Sequence, residues 1–305
     1  MFVPSRRLAV LIAASSLLLA ACGAGSKANS APGGKMSKVG VSVTGTFGQK
    51  PTLTVPTSAA PTSLNTEAIS EGTGPAVSTG QTLVVNYLGQ TWDLKDGKPN
   101  IFDNSFDHKQ VFSFPLGGGQ VIPGWDKGLV GQHVGSRVLL TIPAAQAYGA
   151  SASASEPLAG HTLVFVVDLI AAFSPNAAAS GTPVTPPAGF PKVTSEPGKK
   201  PTVDSVEGIK ADAQPRSTLL IQGNGAKLDA TKSFIMEIVQ VELASGKKNE
   251  TWGGPLQLGS GQAVMTALTA LKGGNVGSRV LAVMPAEAQS KTPDSTLIVD
   301  VVGQY

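Results

Sequence analysis

Side chains able to attack a bond, hold a metal or cradle a phosphate are scarce in this chain, and none falls into a working pattern. His108, His133 and His161 are the three histidines, and they form no HExxH or other ligand spacing. Cys22 is the single cysteine. Gly117-Gly118-Gly119 has the composition of a phosphate loop, but no Gly-Lys-Ser/Thr follows, so it reads as a turn. What is left is aromatic: Tyr87, Phe112, Trp125, Tyr148 and Phe165, with Asp103 directly after Phe102. Taken singly, each of these is core or turn. Together they could act only by shape and exclusion of water, which requires a fold that gathers distant segments.

Composition narrows that fold. With 36 Gly, 22 Pro and 14% charged residues, strands and turns are favoured over long helices. A length of 305 residues suffices for two domains, each with its own core. The net charge of +3 includes Arg6 and Arg7, and without them 21 bases face 20 acids. No basic stripe with interleaved aromatics occurs, so no nucleic-acid partner is expected.

Residues 1–21 read as a secretory signal, with Arg6-Arg7 before the apolar run Leu8-Ala-Val-Leu-Ile-Ala-Ala. The run is too short to span a bilayer comfortably. Leu19-Ala20-Ala21-Cys22 resembles the bacterial lipobox, which implies that Cys22 carries a lipid and that residues 22–36, rich in Gly, Ala and Ser, are a tether. The protein is then expected outside the cytoplasm, anchored to the membrane. With Cys22 so used, no disulfide forms.

Four blocks recur in order. Phe47-Gly-Gln-Lys-Pro-Thr-Leu53 returns as Pro197-Gly-Lys-Lys-Pro-Thr-Val203, offset by 150, and Gly72-Thr-Gly74 as Gly223-Asn-Gly225, offset by 151. Leu116-Gly-Gly-Gly-Gln120 returns as Leu258-Gly-Ser-Gly-Gln262 and Val134-Gly-Ser-Arg-Val-Leu139 as Val276-Gly-Ser-Arg-Val-Leu281, both offset by 142. This is a tandem duplication, with residues 174–189 as a Pro/Ala/Ser-rich linker. Residues 37–173, including an N-terminal extension, form the first domain and 190–305 the second. Strands are expected at Thr82–Leu88, Phe112–Phe114, Ser136–Ile142 and Thr162–Ile170, with one short helix from Pro123 to about Val130, stopped by Gly131. The economical fold is α+β, a curved antiparallel sheet wrapped on one short helix, twice.

In order and spacing, Val84-Val-Asn-Tyr87, Ile101-Phe-Asp-Asn-Ser105, Phe112-Ser-Phe-Pro-Leu-Gly117, Gln120-Val-Ile-Pro-Gly-Trp125, Ala147-Tyr-Gly149 and Thr162-Leu-Val-Phe165 resemble the FKBP-type peptidyl-prolyl isomerases over residues 70–173. The resemblance implies two tandem FKBP-like domains and a proline pocket in the first. Trp125 would be its floor, Tyr87, Phe112 and Phe165 its walls, and Val121 and Ile122 its rim, with the Ile122 N–H donating to a substrate carbonyl. Asp103, behind Phe102, would be the buried acid, and the Tyr148 hydroxyl would donate to bound peptide. The chemistry fits these residue types. Rotation about an X-Pro bond faces about 18–20 kcal/mol because it breaks amide resonance, and the twisted amide is less charge-separated than the planar one. A water-poor aromatic cup favours the twisted form, so no cofactor is expected. Expected partners are proline-containing, unfolded or partly folded exported proteins, with macrolides such as tacrolimus as inhibitors. His108 and Gln120 depart from the arginine and glutamate frequent in the family, and the loop Ala150–Leu158 lacks its usual apolar pair.

By the block offsets, Trp125 corresponds to Ala267, Phe112 to Gly254, Tyr148 to Ser290, Phe165 to Val299, Tyr87 to Ile238, Asp103 to Asn249 and Phe102 to Lys248. The second copy is therefore expected to keep the fold and lose the pocket. Trp252, opposite Phe106, reads as packing. The alternatives are a non-catalytic lipoprotein that holds unfolded clients or acts as a scaffold and, with only the anchor in its favour, a solute-binding lipoprotein.

Overall fold

A computed structural model describes residues 34–151, 155–250, 252–253, 257–286 and 292–305. The expected secretory signal, Cys22 and most of the expected tether lie outside the described residues. Among those described, no helix is long and apolar enough to cross a membrane.

The chain opens with a small antiparallel sheet, β1 (Lys35–Met36), β2 (Ser42–Thr44) and β3 (Thr52–Thr54). The expected tether thus gives its last two residues to a strand. The main sheet of the first copy contains β4 (Asn65–Ser70), β5 (Thr82–Thr91), β6 (Ile101–Asn104), β7 (Phe112–Pro115), β8 (Arg137–Ile142) and β9 (Leu163–Phe173), with helices α1 (Ser105–His108) and α2 (Pro123–Gly128). Its antiparallel order is β4-β8-β9-β5-β6, and β7 pairs the near half of β5. Pro123 opens α2 and Gly131, at φ +82°, lets the chain turn away after it. The four-residue α1 was not legible as a helix. It is capped by Asn104, whose side chain accepts from the Asp107 N–H.

Strand alternation splits the first copy into two cores. Leu83, Val85, Val138, Leu140 and Val167 face α2, whereas Leu88, Leu139, Val164 and Val166 face the small N-terminal sheet, where Val41, Val43, Leu53 and Val55 cover them. Each such side chain contributes about 1.5–3 kcal/mol when buried, so the extension is part of the domain. An ion pair ties it down. Arg137 donates from Nε and Nη2 to the two oxygens of Asp168, both at 2.7 Å, and from Nη1 and Nη2 to the carbonyls of Gly45 and Gln49, also at 2.7 Å. Gly48 N–H donates to Asp168. A buried pair this fully hydrogen-bonded offsets its desolvation.

The second copy repeats the plan: β10 (Gly181–Pro183), β11 (Lys192–Thr194), β12 (Thr202–Ser205), β13 (Arg216–Gly223), β14 (Ser233–Glu242), β15 (Lys248–Glu250), β16 (Gln257–Ser260), helix α3 (Gly261–Ala267), β17 (Arg279–Met284) and β18 (Ser295–Gln304). The order is β10-β13-β17-β18-β14-β15, with β16 on β14. Arg279 holds Asp300 at 2.6 and 2.7 Å and donates to the carbonyls of Glu196 and Lys199. The repeated Gly-X-Lys-Pro-Thr block is therefore the loop that clasps a buried arginine. The expected linker departs from a plain spacer: its residues Gly181–Pro183 pair with β13, and Ala179, buried, donates to Asp300.

Candidate active site

On β5, inward-facing Tyr87 follows Leu83 and Val85, two residues apart each time, and so meets the end of α2 rather than the extension. Trp125 on α2 is 4% exposed and makes the floor. Around it stand Tyr87 (ring centroids 5.4 Å apart, 81° between planes), Phe165 (5.2 Å, 89°), Phe114 (5.4 Å, 60°) and Phe112 (6.2 Å, 73°). Edge-to-face contacts of this kind fix ring orientation. Phe112 stacks on Phe114 and is 38% exposed, so it forms a wall that reaches the rim.

Phe102 reaches the site through a bulge. Asp103 pairs with Gly89 and Ile101 with Gln90, which leaves Phe102 as the extra residue. A bulge re-aims a side chain, and Phe102 packs edge-on against Phe165 at 5.6 Å. Both rings fit because residue 89 has no side chain: a Cβ there would stand 2.5 Å from Phe165 and 2.8 Å from Phe102. Gly89 is thus a site residue that sequence reasoning missed, although a glycine inside a β-rich run ordinarily signals such a close approach.

The Tyr87 hydroxyl donates to Asp103 Oδ2, and His108 Nδ1 lies 3.7 Å from Asp103 Oδ1. Burial, then the bond to Asp103, pushes the Tyr87 proton well above the ordinary phenol range. Tyr148 is 42% exposed. Burial first, then the charges of Glu156 and Asp103, raises its phenol too. At the opposite rim Asp126 accepts from the N–H groups of Gly117 (2.7 Å) and Gly119 (2.9 Å), pinning the glycine turn. Asp126, with this evident role, went unnoticed in the sequence.

Tyr87, Phe102, Asp103, Phe112, Val121, Ile122, Trp125, Tyr148 and Phe165, together with Gly119 and Gln120, surround one cavity of about 470 Å³. All nine pocket residues read from the sequence line it, but Asp103, expected as a buried acid, has a side chain 40% exposed at the rim. The histidines are dispersed, His133 to the carbonyl of Gly74 and His161 to Asp93, and the described residues hold no cluster that could bind a metal ion.

Strand register corrects the matching of the two copies. Val85 pairs with Phe112 and Met236 with Gln257, so Phe112 corresponds to Gln257, not Gly254. Leu140 pairs with Phe165 and Ala282 with Leu297, so Phe165 corresponds to Leu297, not Val299. Gln240 pairs with Asn249 and Val241 with Lys248, without a bulge. Asn249 therefore stands opposite Asp103 as expected, Lys248 matches Ile101, and Phe102 has no counterpart. The similar Leu-Gly-X-Gly-Gln blocks are not equivalent either. Leu116 N–H donates to Gln81 and Gly261 N–H to Lys232 in the same place, so the second copy's rim loop is three residues shorter before the shared Leu129/Leu271 turn. Ile238 and Ala267 stand for Tyr87 and Trp125, among Met236, Met265 and Leu268 in a core whose one buried ring, among the described residues, is Phe234. Ser290, expected opposite Tyr148, lies outside the described residues. Trp252 packs at the outer core, 5.9 Å from the Arg279 guanidinium.

A sequence model of the family described as FKBP-type peptidyl-prolyl cis-trans isomerase matches residues 74–170. The chain is 40% identical over 124 residues to an FK506-binding protein of Streptomyces anulatus, covering 40% of this chain and 97% of that one. It is 41% identical over 124 residues to a probable FK506-binding protein of Corynebacterium glutamicum, covering 41% and 99%. Among solved structures, that of FkpA from Escherichia coli is 38% identical, covers 36% of this chain and 48% of that one, and aligns with a TM-score of 0.31. The chain belongs to the FKBP-type peptidyl-prolyl cis-trans isomerase family. Its activity is accordingly prolyl cis–trans isomerisation.

Proposed function

We propose that the first copy alone is the isomerase, that it acts on exported proteins while they fold, and that a lipid on Cys22 holds it at the outer side of the membrane. The observation that carries the first part is the cavity floored by Trp125 and walled by Tyr87, Phe112 and Phe165, which has no equivalent set of rings in the second copy. A substrate proline enters this cup. Burial of its ring against Trp125 excludes water from the X-Pro amide and favours the twisted, less polar state. The Ile122 N–H and the Tyr148 hydroxyl hold the flanking carbonyls, and Asp103, fixed by Tyr87, keeps the Phe102 side of the cup in place. Each 1.4 kcal/mol of preference for the twisted state gives about tenfold in rate.

The relatives are named for FK506 binding, and the same cup is expected to take macrolides such as tacrolimus, with looser contact where the Ala150–Leu158 loop lacks the family's usual apolar pair. The test is a protease-coupled isomerisation assay on soluble residues 34–305 with an X-Pro tetrapeptide. Turnover that tacrolimus abolishes supports the pocket; turnover undiminished by Trp125→Ala sinks it. For the anchor, Cys22→Ser should release the full chain from the membrane fraction, and an unchanged distribution would remove lipidation from the proposal.

A further inference from the structure

Val84 on β5 and Ile235 on β14 are both fully buried, although each lies on the outer face of its sheet. They cover one another, in a cluster joined by Ile170 and Phe173 from the first copy and Val302 and Tyr305 from the second. Strand register makes these the same positions. Val84 and Ile235 are 151 residues apart, as β5 and β14 are, and Ile170/Val302 and Phe173/Tyr305 are each 132 apart, as β9 and β18 are. A contact built from one set of positions on both sides is the pattern of an isologous dimer interface. Here it joins two halves of one chain.

At one position the halves differ in a way that bears on the choice of partner. Val84 pairs with Ala171, and its counterpart Ile235 with Gly303. The Phe173 ring lies so close over Gly303 that a Cβ there would be 2.3 Å from Phe173 Cε1 and 2.6 Å from Cζ. Two first copies meeting through the same face would bring the Ala171 methyl to this place. We infer that the second copy is the dedicated partner of the first, docked through a face that the duplication gave to both, and that Gly303 selects this unlike pair over a pair of first copies. This goes beyond catalysis and gives the second copy a task that needs no pocket.

The test keeps the complete folded chain and cuts it afterwards. A site-specific protease sequence is placed at the exposed turn around Asn176, the protein is cleaved, and the mass of the products is followed by sedimentation at micromolar concentration. The halves should stay together as a 1:1 complex, and the first half, purified from it, should remain monomeric where the unlike pair holds. Gly303→Val should weaken the complex by about 10- to 100-fold, the scale of overpacking a tight contact. Phe173→Ala, which empties the contact from the other side, should also release the halves should the valine variant fail to fold. Halves that part at once, or a Gly303→Val complex of unchanged affinity, would overturn the docking. A first half that dimerises as tightly as the unlike pair would overturn the selection by Gly303.

Discussion

The two copies share what lies on one face of the sheet and differ in what lies on the other. Behind the sheet, the Arg137–Asp168 and Arg279–Asp300 pairs clasp equivalent loops with almost the same bonds. In front, the first copy has a cup of rings, whereas the second has Ile238, Ala267 and methionines. Because a strand sends alternate side chains to opposite faces, substitutions could accumulate in front without disturbing the clasp behind. Residue type is only part of the difference. The second copy also lacks the bulge that supplies Phe102 and three residues of the rim loop, so its pocket is missing in backbone as well as in side chains.

The clasp gives the largest effect by which to test this comparison. Asp168→Ala leaves Arg137 buried and half-paired, which costs about 3–5 kcal/mol; the first copy should unfold early in urea while the second keeps its transition. Asp300→Ala should do the reverse. Tryptophan fluorescence separates them, since Trp92 and Trp125 report the first copy and Trp252 the second. If either substitution shifts both transitions equally, the copies are not separate folding units.

Next in size is the cup itself. Trp125→Ala should lower kcat/KM by about 30- to 100-fold, equivalent to losing roughly 2–3 kcal/mol of transition-state preference. The converse exchange, Ala267→Trp, should yield no activity on its own, because neither bulge nor rim loop is there to complete a cup. Turnover in a chain carrying both changes that exceeds that of Trp125→Ala alone would show that side chains alone decide the difference. Gly89→Ala is a smaller perturbation: the new methyl must displace Phe165 and Phe102, so kcat/KM should fall about tenfold with a stability loss of about 1–3 kcal/mol. In the second copy the same position is already Gln240, and Gln240→Ala should leave activity untouched.

Four of the nine strands of the first copy, α2 and all nine pocket residues could be read from the sequence, because alternation, proline placement and the spaced aromatic motifs are local signals or a joint pattern. The clasp could not, since Arg137 and Asp168 are 31 residues apart and show no motif beyond a repeated Gly-Ser-Arg. Nor could β10, whose Gly-Thr-Pro composition reads as linker until β13 offers it an edge. The errors in matching Phe112 and Phe165 have one cause. Identical residues in a glycine-rich block and along a strand suggested an alignment, whereas hydrogen-bond register, which tolerates a slip of neither one residue nor three, decided it.

The smallest effect separates the copies by titration. Tyr87 and Tyr148 both hold their phenol protons above the ordinary range, mainly because partial burial disfavours the charged form. For an acid whose proton is held more tightly in the fold, the stabilisation is complete below the unfolded value of about 10. It is lost as pH climbs from there toward the raised folded value. Isomerase activity should therefore stay level up to about pH 10 as far as these two groups are concerned, and a spectrophotometric titration of the folded chain should show both phenols ionising late. Tyr87→Phe should remove one late-titrating phenol and keep the ring wall, and kcat/KM should fall less than tenfold. A Tyr87→Phe chain that loses an ordinarily titrating phenol, with both late ones kept, would mean that neither burial nor Asp103 holds the Tyr87 proton. The front of the first copy would then be distinguished by its rings alone.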